Sequence, residues 1–179
     1  MLIAPIALTS VRLVAYAVFQ KIYILIFQIR YLYNINKKEV IFVDFKFERK
    51  INYYETDRMG VVHHSNYIRF LEEARCSMMD AYGIPYAELE KRGLMIPVLG
   101  VNINFKHHVT FNDIIIVKPF VKEFNGVRLT IGYDVTDKAT GNVVLNGETK
   151  HCFTNKHLKP VRLQKVAPDY YEKFMEMKK

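Results

Sequence analysis

The chain has 179 residues, enough for one domain with a substantial core, and its half-hydrophobic, quarter-charged make-up is that of a folded globular protein. A formal charge of +8 would suggest an anionic partner if the folded part carried it, but residues 1–38 hold five basic residues (Arg12, Lys21, Arg30, Lys37, Lys38) and no acid, leaving +3 for the other 141. That removes the case for a nucleic-acid partner. The two cysteines, Cys76 and Cys152, stand at no metal or disulfide spacing and fit a reducing, cytoplasmic compartment.

Residues 1–38 read as a hydrophobic, basic leader, separate from a domain over 39–179. A spanning helix wants about 20 apolar residues. Placing Val11–Tyr33 across a bilayer puts Lys21 near the centre, at a cost of roughly 2.5–3.5 kcal/mol. Ala15-Tyr16-Ala17 has the small residues of a cleavage site, but no basic segment precedes the apolar start. Aromatic and basic residues interleave from Tyr16 to Lys38, which leaves membrane contact through the leader open. The favoured reading is an extension that takes no part in the domain.

From Val43 the chain alternates. Val43, Phe45, Phe47, Ile51 and Tyr53 fall on one face, with charged or polar residues between them and Arg49 as the single violation. This predicts a half-buried antiparallel strand. Tyr67, Phe70, Leu71, Ala74, Met78 and Tyr82 then recur at helical spacing, predicting a helix from about Asn66 to Tyr82 with Ser65 as N-cap and Gly83 and Pro85 as the stop. A short helix over Tyr86–Arg92 closes at Gly93. Four strands follow in a meander. The first has Leu99, Val101, Ile103 and Phe105 on one face. The second, Ile114–Phe124, contains Pro119, which points to an edge or a bulge. Asn125-Gly126 predicts a type I′ turn into the third, with Val127, Leu129, Ile131, Tyr133 and Val135 alternating. The fourth runs from Asn142 to about Thr154, and a last helix near Pro168 packs Tyr171, Phe174 and Met175. The fold class is α+β, an antiparallel sheet curled around one long central helix, because no other element is large enough to cover it.

The residues between the first strand and that helix carry the chemistry. Tyr54-x-Thr56-Asp57-x-x-Gly60-x-Val62-x-His64-x-x-Tyr67, followed by Glu72 and Arg75, resembles the 4-hydroxybenzoyl-CoA thioesterase family of hotdog-fold proteins, and more closely its acyl-CoA thioesterase branch. The resemblance covers roughly residues 41–165. It implies that Asp57 attacks the thioester or activates water to do so, while the N–H of His64 polarises the carbonyl from the start of the helix. It also implies a site at a dimer interface, dimers that pair into tetramers, an acyl-CoA substrate and no cofactor. Gly60, Val62, Tyr67 and Glu72 fall in the substrate-binding part of the motif.

Each residue also has a plain structural role. Asp57 suits a turn by bonding its own backbone. As a carboxylate it is ionised at neutral pH and needs no separate base. His64 at a helix start leaves its N–H unpaired, which is also what an oxyanion needs; a side-chain role for it stands at even odds. His63 is expected to point the opposite way. Tyr67 suits the core or a pocket wall, Gly60 a positive φ. Glu72 takes a supporting polar role, and a Glu72 or Glu73 pair with Arg69 or Arg75 would be unremarkable. Lys106-His107-His108 could meet CoA phosphates. The four histidines 63, 64, 107 and 108 are not expected to hold a metal, since neighbours should point apart and no carboxylate or cysteine completes a set. The rival readings are a hotdog dehydratase with His64 as base and a non-catalytic acyl-thioester-binding protein at a membrane.

Overall fold

The computed structural model describes residues 45–178, all within one unit of the chain; the leader, and the start of the first expected strand, lie outside them. Seven strands are β1 (Phe47–Lys50), β2 (Leu94–Met95), β3 (Val98–Phe105), β4 (Ile114–Phe124), β5 (Arg128–Asp137), β6 (Val143–Cys152) and β7 (Thr154–Asn155). Four helices are α1 (His64–Ala81), α2 (Tyr86–Lys91), α3 (Leu163–Val166) and α4 (Pro168–Glu176). Five strands form an antiparallel sheet in the order β1-β4-β5-β6-β3, and β2 pairs with β7 apart from it.

α1 lies on this sheet against β1 and β4. Its 18 residues bury Tyr67, Phe70, Leu71, Ala74, Met78 and Met79 in one core with Ile115, Val117 and Val121 of β4 and Leu129, Ile131, Tyr133 and Val135 of β5. Each such side chain taken from water contributes about 1.5–3 kcal/mol. The architecture is the expected α+β one, a sheet covering one central helix. Gly83, at φ +68, ends α1 as the stop signal predicts.

The meander has three strands rather than four. β3 pairs with β6, not β4, so residues 106–113 carry the chain from one edge of the sheet to the far side. Among the described residues β3 has no strand on its outer side. Of the face expected on Leu99, Val101, Ile103 and Phe105 only Ile103 is half-buried; the other three are exposed, as is Val98. β1 is also shorter than expected. Ile51 is buried, but Tyr53 has left the strand for a single 3-10 turn (Tyr53–Glu55) and is 76% exposed. Because β1 reaches only from Ile114 to Val117 along β4, Pro119 lies past its end, where the missing N–H costs no ladder bond; a bulge follows between Val121 and Glu123.

The Asn125-Gly126 turn is not type I′. Only Gly126 has positive φ, and Asn125 Oδ1 accepts from the N–H groups of Val127 and Arg128, which closes a three-residue loop. In α4, Phe174 is buried and Tyr171 packs on the core as expected, while Met175 is exposed and Tyr170 is buried in addition. Among the described residues no helix is long and apolar enough to cross a membrane.

Beneath α1 lies a buried polar set. Arg75 Nη1 stands 3.4 Å from His151 Nε2, which is 2.7 Å from Thr149 Oγ1, and that hydroxyl is 2.9 Å from Tyr133 OH. A guanidinium can only donate, so Nε2 accepts and the ring is the neutral Nδ1–H form. Burial, then the Arg75 charge, pushes the His151 pKa down to about 4, from 6.5. Between those values the unfolded chain binds a proton that the folded one refuses, so stability falls as pH drops from 6.5 to about 4, by about 3 kcal/mol in all. Urea melts across this window should show that loss in the wild type and a flatter curve in His151→Gln.

Candidate active site

The site is built where β1 hands the chain to α1. Thr56 and Val62 pair as an antiparallel bridge and close a small turn around Asp57. Within it the Asp57 N–H donates to Val61 O at 2.9 Å and the Gly60 N–H to Asp57 O at 2.9 Å. Gly60 has φ +78, a conformation that side-chain-bearing residues pay to adopt. The outgoing arm is stitched to the segment after β3, with Val61 bridged to Thr110 and the Val62 N–H donating to Val109 O at 2.9 Å.

Asp57 is half-buried, and its Oδ1 accepts from the Met59 N–H at 2.8 Å. Oδ2 has no hydrogen-bond partner among the described residues. The turn role and the chemical role are therefore compatible. One oxygen is fixed to the turn's own backbone, and the other is unengaged among the described residues.

α1 starts at His64, two residues before the sequence pattern places it, and its N-cap is His63, not Ser65. His63 Nδ1 accepts from the Ser65 N–H at 3.4 Å and lies 2.8 Å from Ser65 Oγ, so an imidazole does the work of the usual capping oxygen. The Asn66 N–H donates to His63 O at 3.0 Å. The His64 N–H, by contrast, has no acceptor among the described residues. It is an orphan donor at the positive end of an 18-residue helix.

The two histidines do not point apart. Their rings are 4.2 Å between centroids, because the backbone turns from extended to helical between them. His107 and His108 likewise stack, at 6.2 Å, and with Lys106 they are exposed beyond the end of β3. Among the described residues no three His, Cys, Asp or Glu side chains converge as a metal would require. The His64 side chain is exposed.

Val62 and Tyr67 are buried behind this turn. The Tyr67 ring lies 5.7 Å from Phe70 and 5.2 Å from Phe105, and burial pushes its phenol up to about 12, which keeps it protonated at neutral pH. Glu72 is exposed on α1. The acid pair with Arg69 or Arg75 is not made: Arg75 turns into the core, and Glu73 pairs with Arg49 at 2.7 Å.

Arg49, Glu55 and Asn66 are the residues that sequence reasoning missed. Arg49 shares the inward side of β1 with Phe47 and Ile51, and its guanidinium lies 3.8 Å over the Phe70 ring. Its Nη1 donates to Glu55 Oε2 at 2.8 Å, and Nη2 donates to the other carboxylate oxygen. Glu55 also accepts from the Asn52 N–H at 2.8 Å. Burial alone would raise the Glu55 pKa; the bonds from Arg49 and Asn52 outweigh it and hold the carboxyl below its usual range. Contributing most above its unfolded pKa, the pair holds at neutral pH and is lost only in acid. The available signal was an arginine on the apolar face of a strand, which demands a carboxylate nearby.

A family model described as the thioesterase-like superfamily matches residues 51–175, well over half of the chain, and the chain belongs to that superfamily, with the hotdog fold. It is 30% identical over 147 residues, 82% of this chain and 99% of the relative, to the Bacillus subtilis protein named "Putative acyl-CoA thioesterase YneP". It is 25% identical over 136 residues to a 1,4-dihydroxy-2-naphthoyl-CoA hydrolase of Prochlorococcus marinus, spanning 72% of this chain and 87% of that one. Among solved structures, a DHNA-CoA thioesterase from Staphylococcus aureus superposes with a TM-score of 0.71 at 30% identity, over 73% of this chain and 88% of that chain. At the level of the family, the chemistry is hydrolysis of CoA thioesters.

Gly60 tests the turn directly. No atom lies within 4 Å of where its Cβ would stand, so Gly60→Ala probes backbone conformation without a clash. It should lower stability by about 1–2 kcal/mol in a thermal melt, the cost of left-handed backbone in an L-residue.

Proposed function

We propose that this chain hydrolyses an acyl-CoA to a free acid and CoA, with Asp57 as nucleophile or general base and the N–H of His64 as the oxyanion donor. The observation that carries the reading is the pairing, in one stitched turn, of a carboxylate with an unengaged oxygen and a helix start with an unengaged N–H.

In the direct course, Asp57 takes a proton from water as its oxygen bonds to the thioester carbon. The carbonyl oxygen gains negative charge facing the start of α1, and collapse of the tetrahedral intermediate expels the CoA sulfur. In the covalent course Asp57 forms the bond itself, and the C–S bond breaks to release CoA as thiolate. Water then cleaves the mixed anhydride to the free acid and the Asp57 carboxylate, one water proton passing to the thiolate. In both, the helix favours charge that exists mainly in the transition state, so its benefit falls on rate rather than on binding. Gly60, Val62 and Tyr67 shape the wall around the acyl group, with Glu72 in a supporting polar position. The setting is cytoplasmic.

The working unit is a homodimer, with tetramers formed from dimers. The open β3 edge supports this, because its backbone can add to the same strand of a second copy, and Val98, Leu99, Val101 and Phe105 supply apolar area there. Val101→Asp should shift the dimer to monomer in sedimentation velocity and lower kcat with it, if the pocket is shared between subunits.

A thiol-release assay over fatty and aromatic acyl-CoAs tests the chemistry. Asp57→Asn should lose at least about a hundredfold in kcat on every substrate turned over by the wild type. Equal turnover in both proteins refutes the assignment. Hydration of an enoyl thioester, abolished in His64→Ala but not in Asp57→Asn, would mark a dehydratase instead.

A further inference from the structure

Arg49 and Glu55 stand apart from the proposed chemistry, yet their bonds join the arm that leads into Asp57 both to β1 and to α1. We infer that the Arg49–Glu55 ion pair positions the reactive turn, fixing where the Asp57 carboxylate stands relative to the start of α1. This rests on the reading of Asp57 as the attacking or base-acting group.

Glu55 lies two residues before Asp57 and is fastened twice. Its side chain is tied to β1 by Arg49 Nη1 at 2.8 Å and by Nη2, and to the segment just after β1 by the Asn52 N–H at 2.8 Å. Its main-chain carbonyl is tied to the helix start, accepting from the His63 N–H at 2.9 Å and from Asn66 Nδ2 at 2.8 Å. One residue therefore bolts the incoming arm of the turn to the cap and first turn of α1. Arg49 is itself referenced to that helix, its guanidinium lying 3.8 Å over Phe70 and its Nε donating to Glu73 Oε2 at 2.7 Å. The acid's arm and the oxyanion donor's helix are thus set against the same few atoms.

The choice of chemistry favours positioning over stability. Glu55 is 3% exposed, and a buried ion pair recovers its own desolvation cost poorly; apolar residues of similar size commonly do as well. What an ion pair supplies that apolar packing does not is direction. A two-pronged guanidinium–carboxylate contact fixes angle as well as distance. Hydrolysis of a thioester needs that, since an attacking group displaced by about 1 Å can cost a hundredfold in rate.

The test compares Glu55→Gln, Arg49→Lys and Asp57→Asn by thiol release on whichever acyl-CoA the wild type turns over fastest. Far-UV circular dichroism and a thermal melt identify a temperature at which each variant is folded. Glu55→Gln keeps the size of the side chain and an acceptor for Asn52 but removes the charge. Arg49→Lys keeps the charge but loses the two-pronged contact, and serves if the first variant does not fold. The expected result is a kcat lowered by about ten- to a hundredfold in either folded variant, with KM changed by no more than about threefold. A merely structural role lowers the melting temperature and leaves the turnover of folded enzyme alone. That result overturns the inference, as does a rise in KM at unchanged kcat. Loss of activity in Asp57→Asn with full turnover in Glu55→Gln defeats the positioning role only. Full turnover in Asp57→Asn defeats both.

Discussion

The turn that carries Asp57 meets the start of α1 beside two charges held out of water. Between β1 and α1, the Arg49 guanidinium faces the Glu55 carboxylate, and the phenyl ring of Phe70 closes one side. Neither charge could be left alone there, since breaking such a pair by removing one partner typically costs 3–5 kcal/mol. The constraint propagates outward. Glu55 fixes its own carbonyl, the carbonyl receives His63 and Asn66, and those residues define where the helix begins. The catalytic proposal needs a carboxylate and a free N–H at a set separation, and this chain of bonds joins the segments that carry them.

A second constraint comes from the helix itself. α1 must be covered along one side, and the curved sheet that covers it brings β4 and β5 under Phe70, Leu71, Ala74 and Met78. The sheet can do this while β3 goes to the β6 edge because residues 106–113 return across to β4. That return passes the acid turn, and Val109 and Thr110 pair with Val62 and Val61 as it does so. The crossover that undoes a simple meander is therefore the same segment that braces the site from outside.

Much of this was legible in the residues, and the gaps have physical reasons. β4, β5, β6, α1 and α2 follow from apolar period and glycine stops, since burial on one face imposes a period that survives in sequence. Strand order does not, because the pattern of β3 is the same whether it pairs with β4 or β6. An alternating apolar face on β3 does not say that the strand lies at an edge with that face mostly exposed. His63 was passed over as a cap because capping is associated with oxygen, although a ring nitrogen accepts equally well. Asp57, Gly60 and His64 were found as a motif. Arg49 shows in the residues as a break in the strand's period, but nothing in the pattern names its partner, because an ion pair to Glu55 six residues on follows no repeat.

Among the described residues the β3 edge is uncovered, and that has a consequence for the chain as it is made. Until another strand lies against it, a run of backbone donors and acceptors flanked by valine, leucine and phenylalanine is open to any extended polypeptide nearby. Crowding and overproduction therefore favour tangled aggregates over assembly, and the yield of usable protein should fall sharply when synthesis outpaces the meeting of correct partners. In the proposed dimer, self-association protects this edge as well as building the site, and a charged substitution on that strand trades one benefit for the other, giving a monomer that stays in solution but turns over poorly.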